Sequence, residues 1–441
     1  MEVSPFRGIR YDQRIVGDLA RVICPPYDVI SLEQQKLYYE QSDYNAIRLE
    51  LPSESLESAG DKYERATDIF HLWLKHGVLE VDTVSSFYLH DHRFEYSGEK
   101  RTRRGLVARV RLEPWGNGVY PHEETSPKDK SDRLHLMRAC RANFSPLFSL
   151  YRDSGQNIAP ILARAARQKP LMVLPMKRGN LVDSDEVHTL WAITEPAITA
   201  ELGELLSFGP LYIADGHHRY ETALTYQQER TQGQSKSLGS SVIVSELKQS
   251  LSSTEGFNYV MMELVEFSDP GLVVLPLHRL VRGITPSVLQ GLKDRLREFF
   301  AVESVRASVG SCQLPIEGCL GVLGLESGSL VVLKKRHGVS VESLMPANRS
   351  QAYREFGVSI LNHVILDGVL GETKDLDVVY SVDLKEAYRL VEDGKYQLGF
   401  LLNPPQPEMV RAVADAQDRM PRKSTYFYPK LPAGLVINPL D

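Results

Sequence analysis

The residues best suited to chemistry are Asp215-Gly216-His217-His218-Arg219, within the run Leu211-Tyr212-Ile213-Ala214-Asp215-Gly216-His217-His218-Arg219-Tyr220-Glu221-Thr222-Ala223-Leu224. An apolar strand stops at Asp215, Gly216 permits a tight turn, and a helix opens near His217. Tyr220, Ala223 and Leu224 fall at i, i+3 and i+4 and would bury that helix against a sheet. The first-turn N–H groups of a helix have no partner within it, and the positive end of the helix dipole lies behind them. Cations are unfavourable there unless an anion meets them, so two histidines and an arginine on this turn point to a bound phosphate. The alternative is a surface turn whose Asp215 merely caps the helix.

Other constellations carry less. In Pro25-Pro26-Tyr27-Asp28 consecutive prolines hold the backbone extended and deliver Asp28 on a stiff segment, as a metal or base carboxylate or as a turn cap. His122, Glu123, Lys128, Asp132 and Arg133 fall in a polar stretch, 121–141, that reads as a long loop. From such a loop Lys128 and Arg133 would close over phosphates. His278-Arg279 reads as a pair at the end of a strand, 273–279, either at a site or satisfied on the surface. His90 and His92 put two imidazoles on one strand face, as metals sometimes use, with no third ligand evident. Lys423 and Ser424 stand at a site or open an aromatic strand, Tyr426-Phe427-Tyr428. The chain has no Gly-x-x-x-x-Gly-Lys-Ser/Thr, no Gly-x-Gly-x-x-Gly and no Gly-x-Ser-x-Gly, so P-loop, Rossmann and α/β-hydrolase readings lack support.

The elements that must position these residues follow from periodicity. Ser31 with Gln34 predicts a capping box opening a helix over 31–41. A second helix is expected over 56–76, with Tyr63, Ala66, Phe70, Trp73 and Leu74 on one face and Gly77 as its stop. Strands are expected over 87–96 and 106–112, joined around Ser97-Gly98-Glu99-Lys100. In the second, Leu106, Ala108, Val110 and Leu112 face one way, Arg109 and Arg111 the other. From Thr285 the pattern becomes helix, strand, strand, helix. It then alternates strand (377–382), helix (384–392), strand (396–402), helix (407–419), the mark of an α/β layer. Division into 1–150, 151–280 and 281–441 is expected.

Composition bounds the function. The chain has 441 residues, 51 Lys plus Arg against 57 Asp plus Glu, and a net charge of −6, which argues against a dedicated duplex-DNA coat. Cys24, Cys140, Cys312 and Cys319 show no CxxC spacing and read as thiols in a reducing compartment. The N-terminus lacks a basic start followed by an apolar run, and no stretch approaches about 18 consecutive apolar residues. A cytoplasmic protein with no membrane span is expected.

The strand-Asp-Gly-His-His-Arg-helix element resembles the phosphate-binding element of the ParB/sulfiredoxin superfamily, in which a Gly-x-x-Arg turn opens a helix and grips a nucleotide phosphate. Sulfiredoxin-like proteins carry a reactive cysteine where this chain has His217, so their reductase chemistry does not transfer. Free-serine kinases of that superfamily are closer, placing an acidic residue and a histidine around the Gly and Arg. Taken whole, the chain resembles the family called domain of unknown function 1015. The matching stretches are Cys24-Pro25-Pro26-Tyr27-Asp28-Val29-Ile30, His122-Glu123 with Lys128, Asp132-Arg133-Leu134, Asp215 to Arg219, Asp269-Pro270-Gly271, His278-Arg279 and Lys423 to Lys430. That family has no settled activity.

The expected fold is α/β (α+β), with mixed sheets, a ParB/sulfiredoxin-like phosphate-binding domain and a C-terminal α/β layer. The expected function is nucleotide-dependent phosphotransfer to a small hydroxylated metabolite, with ATP or ADP and Mg²⁺. Gly216, Arg219, Lys128, Arg133, His278 and Arg279 would hold the nucleotide. Asp215 would bind Mg²⁺ or orient the hydroxyl, His217 or His218 would stabilise charge on the transferred group, and Asp28 would reach the same site. A nucleotide sensor without transfer and a phosphohydrolase are the alternatives.

Overall fold

Alternating apolar residues build the hairpin at the centre of the molecule's first sheet: β2 (Phe87–Tyr96) and β3 (Glu99–Arg111). Leu106, Ala108 and Val110 are fully buried on one side of it. The turn is tighter than the sequence suggests. Ser97 and Gly98 alone carry positive φ (52° and 79°), so Glu99 and Lys100 already belong to the return strand. The computed structural model describes residues 1–54, 61–125, 127–177, 185–237, 255–309, 318–371 and 376–441; the side chains of 127–129 and 234–237, like all of Cys312, lie outside that description.

The chain divides into two units, Met1–Pro121 with Thr125–Leu272 and Pro429–Asp441, and His122–Glu124 with Val273–Tyr428. In the first, β2 and β3 belong to a nine-stranded sheet. The other strands are β1 (Val3–Ser4), β4 (Val119–Tyr120), β5 (Leu147–Tyr151), β6 (Met172–Met176), β7 (Glu186–Ile193), β8 (Leu211–Asp215) and β9 (Tyr259–Glu266). Their order is β4-β8-β5-β9-β3-β2-β7-β6, with β1 also on β3. β8 runs parallel to β4 and β9 parallel to β5, while the remaining ladders are antiparallel. The sheet takes strands from both sides of residue 150.

The helices of the first unit include α1 (Leu32–Gln41), α2 (Lys62–Lys75), α3 (Pro127–Cys140) and α4 (His217–Ser237). Ser31 caps α1 in a complete capping box, as its spacing predicts. α2 starts at Lys62 behind the N-cap Asp61, later than expected, and buries Ala66, Phe70 and Trp73; residues 55–60, part of the expected span, lie outside the described residues.

The second unit has a six-stranded, wholly antiparallel sheet in the order Phe300–Arg306, Ser329–Lys335, Cys319–Leu323, Leu398–Leu401, His278–Arg282, Asp377–Ser381. Helices Leu384–Glu392 and Pro407–Asp415 alternate with its last strands. The chain is thus a mixed α/β protein of α+β type. Among the described residues no helix is long and apolar enough to cross a membrane.

Candidate functional site

The strand–turn–helix at 211–237 forms as the sequence predicts. β8 ends at Asp215, α4 opens at His217, and Tyr220 N–H closes the first turn onto Gly216 O at 3.0 Å. Gly216 has φ +96°, and a Cβ there would lie 3.0 Å from both the Arg219 guanidinium and Leu147. Only glycine fits that backbone and that approach. His217 is buried and His218 partly so.

Arg219 turns back from the helix into the protein. One guanidinium nitrogen donates to Ser145 Oγ and Pro146 O, both at 2.9 Å, and the other to Asp215 Oδ2 at 3.2 Å. Burial pulls the Arg219 pKa down, but Asp215, Asp28, Glu50 and Tyr27 outweigh it and raise it above its ordinary value. The second Asp215 oxygen accepts from Lys430 Nζ. Asp215 is therefore clasped by two cations, with about a fifth of its side chain exposed (18%).

Three residues that sequence reasoning missed complete the setting. Glu50, buried at the end of the short helix Ile47–Glu50, accepts from Ser145 Oγ at 3.0 Å. Ser145 thereby bridges Glu50 to Arg219. Lys430 ends the stretch Lys423 to Lys430, where no local signal marks it as a partner of Asp215. Nothing in the spacing of Glu50 or Ser145 marks them, because they arrive from elements distant in sequence.

Residues 121–141, read as a polar loop, are largely the helix α3, and Arg133 on it is buried instead of standing on a loop. It is 5% exposed, donates to Glu50 O at 2.6 Å, pairs with Asp132, and lies 4.1 Å over the Tyr27 ring. Arg133, Lys62 and a Tyr63 hydrogen bond hold Asp132 well below the usual carboxylate range against the opposing pull of burial. The Lys128 side chain lies outside the described residues. Between Glu50, Arg133, Ser145 and Arg219 is a cavity of about 40 Å³. That is room for a water or two.

Asp28 is exposed in the single turn Tyr27–Val29 and lies within electrostatic reach of Arg219. His278 and Arg279 belong to the second unit, where they begin a strand instead of ending one: Pro276 and Leu277 separate Val273–Leu275 from His278–Arg282. His278 Nδ1 accepts from Leu402 N–H at 3.2 Å, and burial lowers its pKa to about 4 despite Asp383. Burial likewise lowers Arg279 to about 10, with Tyr380 and Glu123 pulling the other way. His122 and Glu123 are in that unit too, bonded to Thr425 Oγ1 (2.9 Å) and Lys423 N–H (2.9 Å).

These features define an α+β protein whose mixed sheet delivers a cation-rich strand–turn–helix element. The chain belongs to the family described as protein of unknown function (DUF1015), whose model matches residues 3–378. A search of curated proteins found no match. Among solved structures it is similar to a conserved hypothetical protein from Pyrococcus furiosus, at 12% identity and TM-score 0.34 over 74% of this chain and 93% of that one. It is also similar to a free serine kinase variant in complex with AMP, at 10% identity and TM-score 0.35 over 73% and 86%. SbnI with C-terminal truncation from Staphylococcus aureus gives 11% identity and TM-score 0.32 over 74% and 84%. These likenesses are distant.

Proposed function

We propose that the chain is a nucleotide-dependent phosphotransferase acting on a small hydroxylated metabolite. The observation that carries this reading is the Asp215 carboxylate clasped by Arg219 and Lys430 beside the N-terminus of α4. Two cations and a helix N-terminus form an anion site, with Asp215 as its internal anion. A phosphate group of ATP or ADP would compete for the same donors. The displaced carboxylate would then be available to bind Mg²⁺ or to orient the acceptor hydroxyl, and His217 and His218 on the first turn would face developing charge. Glu50 and Ser145 act as positioning residues for Arg219.

The donor set fits Mg²⁺ only through a carboxylate, since the ion prefers oxygen ligands and keeps several waters. Asp215 is the residue that would hold it, with Asp28 as the neighbouring carboxylate. Bound there, the ion would neutralise phosphate charge.

The same observation also supports a second reading. A carboxylate already held by two cations suits reversible nucleotide sensing without transfer. The experiment is a screen of purified protein with Mg²⁺, ATP or ADP and pooled hydroxylated metabolites, read by mass spectrometry. A phosphorylated product that requires an acceptor supports transfer. Nucleotide binding with no product across all pools rejects transfer and leaves the sensor.

A further inference from the structure

Away from the Asp215 site, one face of β2, β3, β7 and β9 carries a polar cluster inside the protein. His90, His92 and Arg103 are 0% exposed, Glu263 1%, His188 3% and Glu186 9%. Strand pairing creates it: His188 lies opposite His92, and His92 opposite Arg103. Burying so many polar groups is costly unless each finds a partner.

The protons in this cluster can be placed. Glu263 Oε2 lies 2.9 Å from His90 Nδ1, and a carboxylate only accepts, so that nitrogen carries the hydrogen. In the neutral tautomer of His90 that this contact selects, Nε2 accepts the hydrogen of His188 Nδ1 at 3.0 Å. His188 Nε2 is left with a bare lone pair. It faces Glu186 Oε2, another acceptor, at 3.8 Å, too far for a hydrogen bond. His92 Nε2 reaches the same oxygen at 2.7 Å. One ligand atom from each of His92, Glu186 and His188 lies within 4.8 Å of the other two. Ligands of a tetrahedral ion with bonds of about 2.0–2.2 Å stand roughly 3.4 Å apart, so small adjustments converge the three on one point.

We propose that His92, Glu186 and His188 bind a divalent first-row transition-metal ion of the Zn²⁺ class. Two imidazoles and a carboxylate are a common donor set for such ions. The chain Glu263–His90–His188 is the carboxylate-to-histidine relay that fixes the tautomer of a metal ligand. Glu263 Oε1 is buried with no hydrogen-bond partner, and the carboxylate acts electrostatically on Arg103 in the same cluster. Gly105 leaves the room it needs: a Cβ there would lie 2.4 Å from that oxygen. Without the ion, Arg103 donates to His92 Nδ1 at 3.3 Å and the His92 proton is on Nε2. Metal binding moves that proton to Nδ1 and gives up this one long contact, while Arg103 keeps Pro429 O at 2.8 Å.

The test uses the full chain, stripped with chelator, loaded with Zn²⁺ and desalted. About one Zn²⁺ per chain by elemental analysis, a raised Tm, and visible absorption of a His/carboxylate site on Co²⁺ substitution are expected. His188→Asn and Glu186→Gln should lose the ion. Glu263→Gln, which touches no metal, should weaken binding by about 10–100-fold. Asp215→Asn should bind Zn²⁺ like the wild type, which separates this site from the phosphate turn. Wild-type protein that retains no Zn²⁺ overturns the proposal and leaves a hydrogen-bond network only. So does undiminished binding in folded His188→Asn. If that variant fails to fold, wild-type stoichiometry and the Co²⁺ spectrum decide alone.

Discussion

Lys430 meets Asp215 across 215 positions of sequence, and the pair closes the strand–turn–helix element from the C-terminal end of the chain. The Lys430 side chain is 11% exposed and that of Asp215 18%. An ion pair this sheltered is stronger than a surface pair, because water and salt screen it less. It neutralises a helix-start carboxylate that would otherwise satisfy the helix dipole by itself. Arg219 also answers Asp28 and Glu50, so a phosphate would compete with Asp215 for these donors.

Arg219 has two tasks, and its variants should separate them. Arg219→Ala removes the partner of Ser145 Oγ and Pro146 O and should lower stability by about 1–3 kcal/mol. Arg219→Lys keeps the charge but not the fork, so it should fold better and still lose most nucleotide-induced Tm shift. Wild-type nucleotide response in a folded Arg219→Lys protein would move the phosphate site elsewhere.

Arg133 should behave as a core residue. It ties α3 to Glu50 O and stacks on Tyr27, so Arg133→Ala should cost about 1–3 kcal/mol in urea unfolding. A lid residue would leave stability untouched and change only turnover. Unchanged urea midpoints would restore the lid reading.

The contrast between these two arginines shows what the sequence could reveal. The β8–α4 element was legible because all its signals are local: an apolar run, a glycine at the turn, and a burying face at helical spacing. Ser31 and Gln34 were legible for the same reason. α3 was not. Its polar residues look like a loop until α4 lies beside it, where Lys130 meets Glu221 at 2.8 Å and Arg138 Nε meets Glu229 at 2.9 Å. Likewise His90 and His92 lacked a third ligand in sequence because His188 and Glu186 reach them only through strand pairing. Glu50, Ser145 and Lys430 carry no periodic signal at all.

Acid should weaken the second unit through His278. Its pKa falls from 6.5 to about 4 on folding, so the unfolded chain takes up a proton first as pH drops. The stability from keeping this imidazole neutral is present above pH 6.5 and is lost as pH falls toward 4, on the order of 3 kcal/mol in total. Protonation also removes the acceptor for Leu402 N–H. His278→Asn keeps an acceptor and cannot titrate, so its unfolding free energy should fall less steeply with acid. Parallel pH slopes in the two proteins would reject this assignment.

Asp215 and Lys430 give the sharpest test of whether the site transfers phosphate. Asp215→Asn removes the internal anion, so nucleotide should bind at least as tightly as to the wild type, because no carboxylate has to be displaced. Lys430→Met removes a donor, so affinity should fall by about tenfold, the loss of one charge-assisted contact. Binding alone would predict nothing further. If the site transfers phosphate, Asp215→Asn should also lower turnover by about 10²–10⁴-fold, since a carboxylate acting on metal or hydroxyl matters chiefly in the transition state. The signature is a variant that binds well and reacts poorly, opposite in kind to Lys430→Met, whose defect should shrink as nucleotide is raised. His217→Ala should resemble Asp215→Asn if its imidazole faces the phosphate, and the partly exposed His218 should differ from it. Full turnover in Asp215→Asn would remove that residue from the chemistry, and weaker binding in the same variant would show that its carboxylate does not compete with phosphate.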